Sequence, residues 1–296
     1  MDTANAIECR GLSKSYTGFT LKDLCLTLPE GSILGLIGEN GAGKTTTLKA
    51  MLGLIHPDAG ETFLLGQETR SPGFTQAKEE IGVVFDDVFF YPAYTPQRIG
   101  SILRRLYRRW EPEVYESLLR RFSLPERKPV STFSRGMKMK LAFAAALSHH
   151  ARLLILDEAT SGLDPVMRDE ILDLLREFVQ EEDHSVLLSS HITSDLEKIA
   201  DRIAYLQNGE LVFSRNKDEL LEECGVLRCG HEELQRLDRS RLIGLREGRF
   251  EAEALVLDRA GLQRQYPGLT IDPAKLEDIM VFYHREHHPE SQKEGC

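Results

Sequence analysis

Gly38-Glu39-Asn40-Gly41-Ala42-Gly43-Lys44-Thr45 constrains this chain more than any other stretch. It fits the pattern G-x-x-x-x-G-K-[ST] and falls between an apolar run, Ile33-Leu34-Gly35-Leu36-Ile37, and a segment with helical spacing from Thr45 to Ile55 that stops at the turn cluster His56-Pro57-Asp58-Ala59-Gly60. Strand, glycine-rich loop and helix in that order form a phosphate cradle. Small residues let successive backbone N–H groups close around a phosphate at a helix N-terminus, Lys44 adds a compact positive charge, and Thr45, followed by Thr46, offers a hydroxyl to Mg²⁺.

The acids that such a loop requires lie further along. Leu153-Leu154-Ile155-Leu156-Asp157-Glu158 is an apolar strand ending in two carboxylates, which places them at the carboxyl edge of a buried sheet, where α/β folds bind ligands. Asp157 suits the Mg²⁺ side, and Glu158 is placed to polarise a water for in-line attack on a γ-phosphate. Strand-like runs recur at Val186–Ser189 and Ile203–Leu206, with helices at about Val166–Glu181 and Ser194–Ile199. Strands alternating with helices imply a parallel, helix-covered sheet. Before the loop, from residue 7, short runs of alternating apolar and polar positions predict a small β lobe. Between Thr95 and about His150 the spacing is mostly helical, with a second helix beginning near Ser134. Beyond about Leu221 the character changes: Arg241–Leu245 and Ala252–Leu257 can pair around Glu247-Gly248-Arg249, and Pro273–Tyr283 reads as a helix.

Composition narrows the rest. The chain has 296 residues, 41% hydrophobic and 28% charged, close to a globular average. Lys and Arg number 37 against 47 Asp and Glu, a formal charge of −10, which argues against a protein that coats nucleic acid. The longest apolar candidate, Leu141–Leu156, is broken by His149, His150 and Arg152, so no segment reaches the roughly 20 residues of a membrane helix. Met1-Asp2-Thr3-Ala4-Asn5 lacks the basic start and apolar core of a secretory signal, so a cytosolic location is expected. The five cysteines, Cys9, Cys25, Cys224, Cys229 and Cys296, suggest neither a disulfide framework nor a zinc site, and reduced thiols are expected.

Taken together, these motifs resemble the ATP-binding subunit of an ABC transporter over residues 5 to 220. Phe133-Ser134-Arg135-Gly136-Met137 stands where that family carries its signature Leu-Ser-Gly-Gly-Gln, Ser161-Gly162-Leu163-Asp164 resembles its D-loop, and Ser190-His191 resembles its switch histidine. Ile81-Gly82-Val83-Val84-Phe85-Asp86 resembles the strand leading to its Q-loop, with Asp86 in place of the glutamine. The variant signature and Asp86 resemble an exporter-like branch with compact ABC-2 membrane partners.

The resemblance implies a P-loop NTPase of α/β class, an ABC-type ATPase at 5–220 with an N-terminal antiparallel β lobe and a helical subdomain at about 87–150. A small C-terminal α+β extension with a polar tail follows at 221–296. It implies ATP and Mg²⁺ as cofactors, Glu158, His191 and Lys44 as catalytic residues, and Tyr16 stacked on adenine, although an aromatic on a strand is more often core. Gly38, Glu39, Asn40, Gly41, Ala42, Gly43, Lys44, Thr45 and Thr46 would hold the nucleotide from one side. Ser134, Arg135, Gly136 and Asp164 would do so from a second, head-to-tail subunit of a homodimer or heterodimer. Thr45 and Asp157 are the expected metal ligands. Asp86 is a candidate third, tolerated near the γ-phosphate only if Mg²⁺ or a basic group offsets its charge; the alternatives are that it points to solvent, that it caps the following turn, or that Asp87 takes its place in a shifted loop. The expected partner is a polytopic membrane subunit, which places the chain on the cytoplasmic face of the cell membrane. The stretch Arg98 to Arg109 is either a solvated helix face or a contact for anionic headgroups or that subunit. A soluble ABC ATPase acting on ribosomes or DNA is the main alternative; a nucleotide kinase fits less well.

Overall fold

Residues 4–87 and 90–287 are described by the computed structural model. Met1-Asp2-Thr3, part of the N-terminal stretch weighed above, and the polar tail from His288 lie outside the described residues. The chain divides into two units, Met1–Ser214 and Arg215–Cys296.

In the first unit the alternating N-terminal stretch forms β1 (Asn5–Tyr16) and β2 (Phe19–Pro29), turning through Thr17-Gly18 with Gly18 at φ 84°. Leu21, Leu24, Leu26 and Leu28 are buried while Lys22, Asp23, Cys25 and Thr27 are exposed, as a strand with one covered face requires. β3 (Ile33–Ile37) is buried throughout, which is what an unbroken apolar run forms when a sheet is covered on both faces. α1 (Lys44–Met51) ends earlier than the spacing suggests. Gly53 takes φ 67°, and the Leu54 N–H turns back 2.9 Å to the Lys49 carbonyl, closing the helix before Ile55. β4 (Ala59–Leu64) and β5 (Gln67–Glu68) complete an antiparallel sheet of order β2-β1-β4-β5. α2 (Phe74–Ala77) and β6 (Ile81–Val84) follow.

The helical stretch resolves into α3 (Pro96–Leu106), α4 (Pro112–Arg121) and α5 (Arg135–Leu147). Each boundary has a local cause: Thr95 and Ser134 cap α3 and α5 through their hydroxyls, and Pro96 and Pro112 stand in the first turns of α3 and α4. Then come β7 (Leu153–Asp157), α6 (Pro165–Phe178), β8 (Ser185–Ser190), α7 (Thr193–Ile199), β9 (Arg202–Gln207) and β10 (Glu210–Asn216). The main sheet runs β10-β9-β3-β8-β7-β6, and β3, β6, β7, β8 and β9 pair in parallel. This is the helix-covered parallel sheet expected from the alternation of elements. Its register positions the site. Ile37 lies opposite Ser190 and Asp157 opposite Ser189, so the phosphate loop, the two carboxylates and His191 all leave the sheet at one edge.

The second unit begins with α8 (Lys217–Glu223), capped by Asn216. The expected domain boundary near residue 220 falls inside this helix, which packs against α10, described next. β11 (Gly225–Cys229), α9 (His231–Leu234), β12 (Leu242–Glu247), β13 (Ala252–Val256), α10 (Arg259–Gln265), β14 (Thr270–Pro273) and α11 (Leu276–His287) complete it. Strand order β12-β13-β11-β14 with every pair antiparallel is a split βαβ arrangement, β-α-β-β-α-β. β12 and β13 are the hairpin visible in the sequence. β11 and β14 are not visible there: one opens on glycine, and the other is a four-residue edge strand ending in Pro273, a residue that only an edge tolerates.

Candidate functional site

The loop from Gly38 to Thr45 is held open by conformation. Gly41 and Gly43 take φ of 88° and 111°, and a Cβ at Gly43 would lie 2.7 Å from the Phe19 ring. Only glycine fits there. Lys44 is 6% exposed, and three oxygens surround its ammonium: it donates to the Gly38 carbonyl at 2.7 Å and the Glu39 carbonyl at 3.2 Å, and forms an ion pair with Glu158 Oε1 at 3.1 Å. Its cationic charge is therefore compensated within the cleft, as burial demands.

Thr45 Oγ1 donates to Asp157 Oδ2 at 2.7 Å, and Ser189 Oγ donates to Asp157 Oδ1 at 2.6 Å. Ser189 also accepts the Glu158 N–H at 3.2 Å, so one buried hydroxyl fixes both carboxylate residues. Glu158 stands at φ 51°, a left-handed conformation costing about 1–3 kcal/mol that is held only where surroundings impose it. The Ser189 carbonyl, which accepts the Glu158 N–H at 3.1 Å, is part of that imposition. Glu158 Oε2 then meets His191 Nδ1 at 2.7 Å, making a line Lys44–Glu158–His191 across the sheet edge.

An open cleft of about 440 Å³ is lined by Gly18, Phe19, Glu39, Asn40, Gly41, Gly43, Lys44, Thr45, Thr46 and Glu158. Phe19 and Ser189 were not singled out from sequence. The signals were a second aromatic across the hairpin turn from Tyr16 and a serine directly after the apolar stretch Val186-Leu187-Leu188. Tyr16 is 47% exposed, and the Lys14 ammonium lies 5.6 Å from its ring centre. Gly38 and Ala42 complete the loop: Gly38 packs against the Leu206 carbonyl, and the Ala42 carbonyl accepts the Gly209 N–H at 3.0 Å.

The remaining motif residues lie elsewhere. Ser134, Arg135, Gly136, Asp164 and Asp86 do not line the cleft. Ser134 caps α5 by accepting the Met137 N–H at 3.2 Å, and Asp164 caps α6 by accepting the Met167 N–H at 3.0 Å. Gly136 abuts the Met167 side chain so closely that a Cβ has no room. Asp86, just past β6, pairs with Arg135, and both line a separate depression with Asp87 and Lys138. A basic group thus offsets the Asp86 charge.

Among the described residues, no cluster of three or more His, Cys, Asp or Glu side chains is arranged to hold a metal by itself. Hard oxygens from Thr45 and Asp157 still fit Mg²⁺, an ion usually bound by one or two protein ligands together with substrate phosphates. The four described cysteines are free thiols, and burial pushes Cys9 up to about 12 and Cys224 to about 11.

A phosphate cradle, a strand-end carboxylate pair and a histidine beyond the next strand define a nucleoside triphosphatase. Comparison with known proteins narrows the class. The family described as ABC transporter matches residues 21–161. ABC transporter ATP-binding protein YtrB of Bacillus subtilis (strain 168) is 36% identical over 218 residues, covering 73% of this chain and 74% of that protein. Bacitracin transport ATP-binding protein BcrA of Enterococcus faecalis is 37% identical over 217 residues, covering 72% and 70%. A solved structure of an ATP-binding subunit of an ABC transporter has a TM-score of 0.67 at 28% identity, covering 73% of this chain and 92% of that one. The chain belongs to the family of ABC transporter ATP-binding proteins, and its enzymatic activity is ATP hydrolysis.

Proposed function

We propose that this chain powers a separate membrane-spanning transporter component, an exporter, by pairing head to tail with a second ATPase subunit around shared nucleotides. The observation that carries this reading is the division of the nucleotide-binding residues. Lys44, Thr45, Glu158 and the loop line one cleft, whereas Ser134, Arg135 and Gly136 line no part of it, and the helix N-terminus at exposed Ser134 and Arg135 suits a nucleotide held by another chain. Among the described residues no helix is long and apolar enough to cross a membrane, which is why the transport path is assigned to a partner. The location that follows is peripheral, on the cytoplasmic face. The Enterococcus relative named for bacitracin transport supports a transport role. An apolar groove walled by β6, α3 and α5, with Phe85, Leu103 and Tyr107 in its lining, offers that partner a docking face.

In this mechanism the loop N–H groups and Lys44 bind the β- and γ-phosphates, while the adenine stacks on exposed Tyr16. Thr45 and Asp157 would hold Mg²⁺, which supplies neutralisation of phosphate charge. Glu158 accepts a proton from the attacking water as the new oxygen–phosphorus bond forms and the bond to the β–γ bridging oxygen breaks. His191 holds Glu158 in place through Nδ1 and would contact the γ-phosphate. Asp164 acts from the facing subunit at the N-terminus of α6, which it caps.

Light scattering of a Glu158→Gln protein tests the pairing. ATP is expected to convert it from monomer to dimer, and Ser134→Arg in the same protein to block the conversion by filling the anion pocket. A monomer at all ATP and protein concentrations would contradict self-pairing.

A further inference from the structure

Arg135 occupies the third position of a segment whose family pattern has glycine there, and its guanidinium is committed within its own chain. Nη2 bonds to Asp86 Oδ1, and Nη1 lies 2.7 Å from where a Cβ at Gly162 would stand. Gly162, at φ 67°, opens that space in the turn Ser161–Asp164. Three segments therefore meet at one side chain: the end of β6, the start of α5 and the turn before α6. Yet the pair is exposed, with side chains 49% and 46% accessible, and exposed pairs contribute little to folding stability. Such a contact is a poor brace but is easily exchanged. Lys138 and Asp87 share the depression, and among the described residues the ion pair of Asp86 is with Arg135.

We propose that Asp86 is an internal stand-in for phosphate on Arg135, restraining the guanidinium until the triphosphate of a facing ATPase subunit displaces it. The inference rests on the head-to-tail reading above, in which Arg135 serves the facing nucleotide, and adds to it a positioning residue, Asp86. The exchange is chemically matched. A guanidinium forks onto carboxylate and phosphate oxygens in the same way, and a triphosphate offers more charge than one carboxylate. Because Arg135 follows the helix cap Ser134, its side chain is free to swing while the Ser134–Met137 cap bond stays in place. A nucleotide arriving opposite α5 is thereby sensed at the end of β6, the strand that borders the apolar groove.

The test is a set of variants in the Glu158→Gln protein, read as the protein concentration at which ATP produces half-dimer. Asp86→Asn frees Arg135 without changing shape and is expected to lower that concentration roughly three- to tenfold. Arg135→Ala is expected to raise it by a similar factor, and Asp86→Asn added to Arg135→Ala is expected to change nothing further. Affinity of the single chain for a fluorescent ATP analogue serves as the control, since neither residue lines its cleft. If Asp86→Asn and Arg135→Ala both weaken pairing, the contact is a structural brace and the proposal is overturned. If Asp86→Asn has no effect, or acts equally without Arg135, it is also overturned while the head-to-tail reading stands. A Glu158→Gln protein that never dimerises overturns both.

Discussion

At the scale of single residues, the site depends on a few groups whose chemistry is legible and on others legible only through contact. Lys44, Thr45, Asp157 and Glu158 announce themselves because the sequence writes loop and strand end contiguously. Ser189 does not, because its importance lies in facing Asp157 across the β7–β8 register, a relation 32 residues apart in the chain. Ser189→Ala would leave one Asp157 oxygen and the Glu158 N–H without this buried partner. We expect it to cost about 1–3 kcal/mol, read as a lower denaturation midpoint in urea with an unchanged slope. An unaltered midpoint would show that water replaces the hydroxyl at no cost. Gly43→Ala places a methyl against Phe19 at a φ that L-residues avoid. Loss of ATP binding with native circular dichroism is expected; wild-type affinity would show that the loop tolerates a side chain there.

At the scale of elements, caps and turns decide where periodicity does not. α1 was legible as a helix but not in its length, since Ile55 continues the apolar spacing after Gly53 has already reversed the chain. Gly53 has open surroundings, its nearest potential contact being the Thr69 carbonyl at 3.7 Å, so Gly53→Ala isolates the conformational term. A loss of about 1–2 kcal/mol is expected by chemical denaturation, and no loss would mean that the helix end relaxes. α5 carries a different signal in the residues just beyond it. His149 is buried, stacks on Tyr107 with ring centres 4.0 Å apart, and donates from Nδ1 to the Glu79 carbonyl at 2.9 Å. Burial lowers its pKa below the ordinary 6.5. Below that value the unfolded chain binds a proton that the folded chain refuses, so this contribution to stability is complete above pH 6.5 and is lost as the pH falls through the folded pKa. Melting temperature followed from pH 8 to 5 should therefore decline less steeply in His149→Gln than in the wild type. Parallel curves would exclude His149 as the source.

At the scale of the whole molecule, the parallel part of the first unit was legible because β3, β6, β7, β8 and β9 are largely apolar and helices separate them along the chain, so their order implies a parallel sheet; β10, more polar and joined to β9 by a short turn, was not. The second unit was half legible. Its hairpin shows in Arg241–Leu257, but β11 and β14 are short and join their neighbours only through pairings distant in sequence. Every residue proposed to handle phosphate precedes residue 215. A chain ending at Leu221 is thus expected to fold and bind ATP with wild-type affinity, with the missing unit affecting pairing or docking; a folded truncated chain unable to bind ATP would refute that division. The central claim is that Glu158, poised between Lys44 and His191, is the base for ATP hydrolysis. Steady-state phosphate release by wild type and Glu158→Gln at saturating Mg²⁺-ATP, with nucleotide binding measured on both, tests it most directly. Turnover should fall roughly a hundredfold or more while ATP binding persists, and hydrolysis at the wild-type rate in the variant would contradict the account.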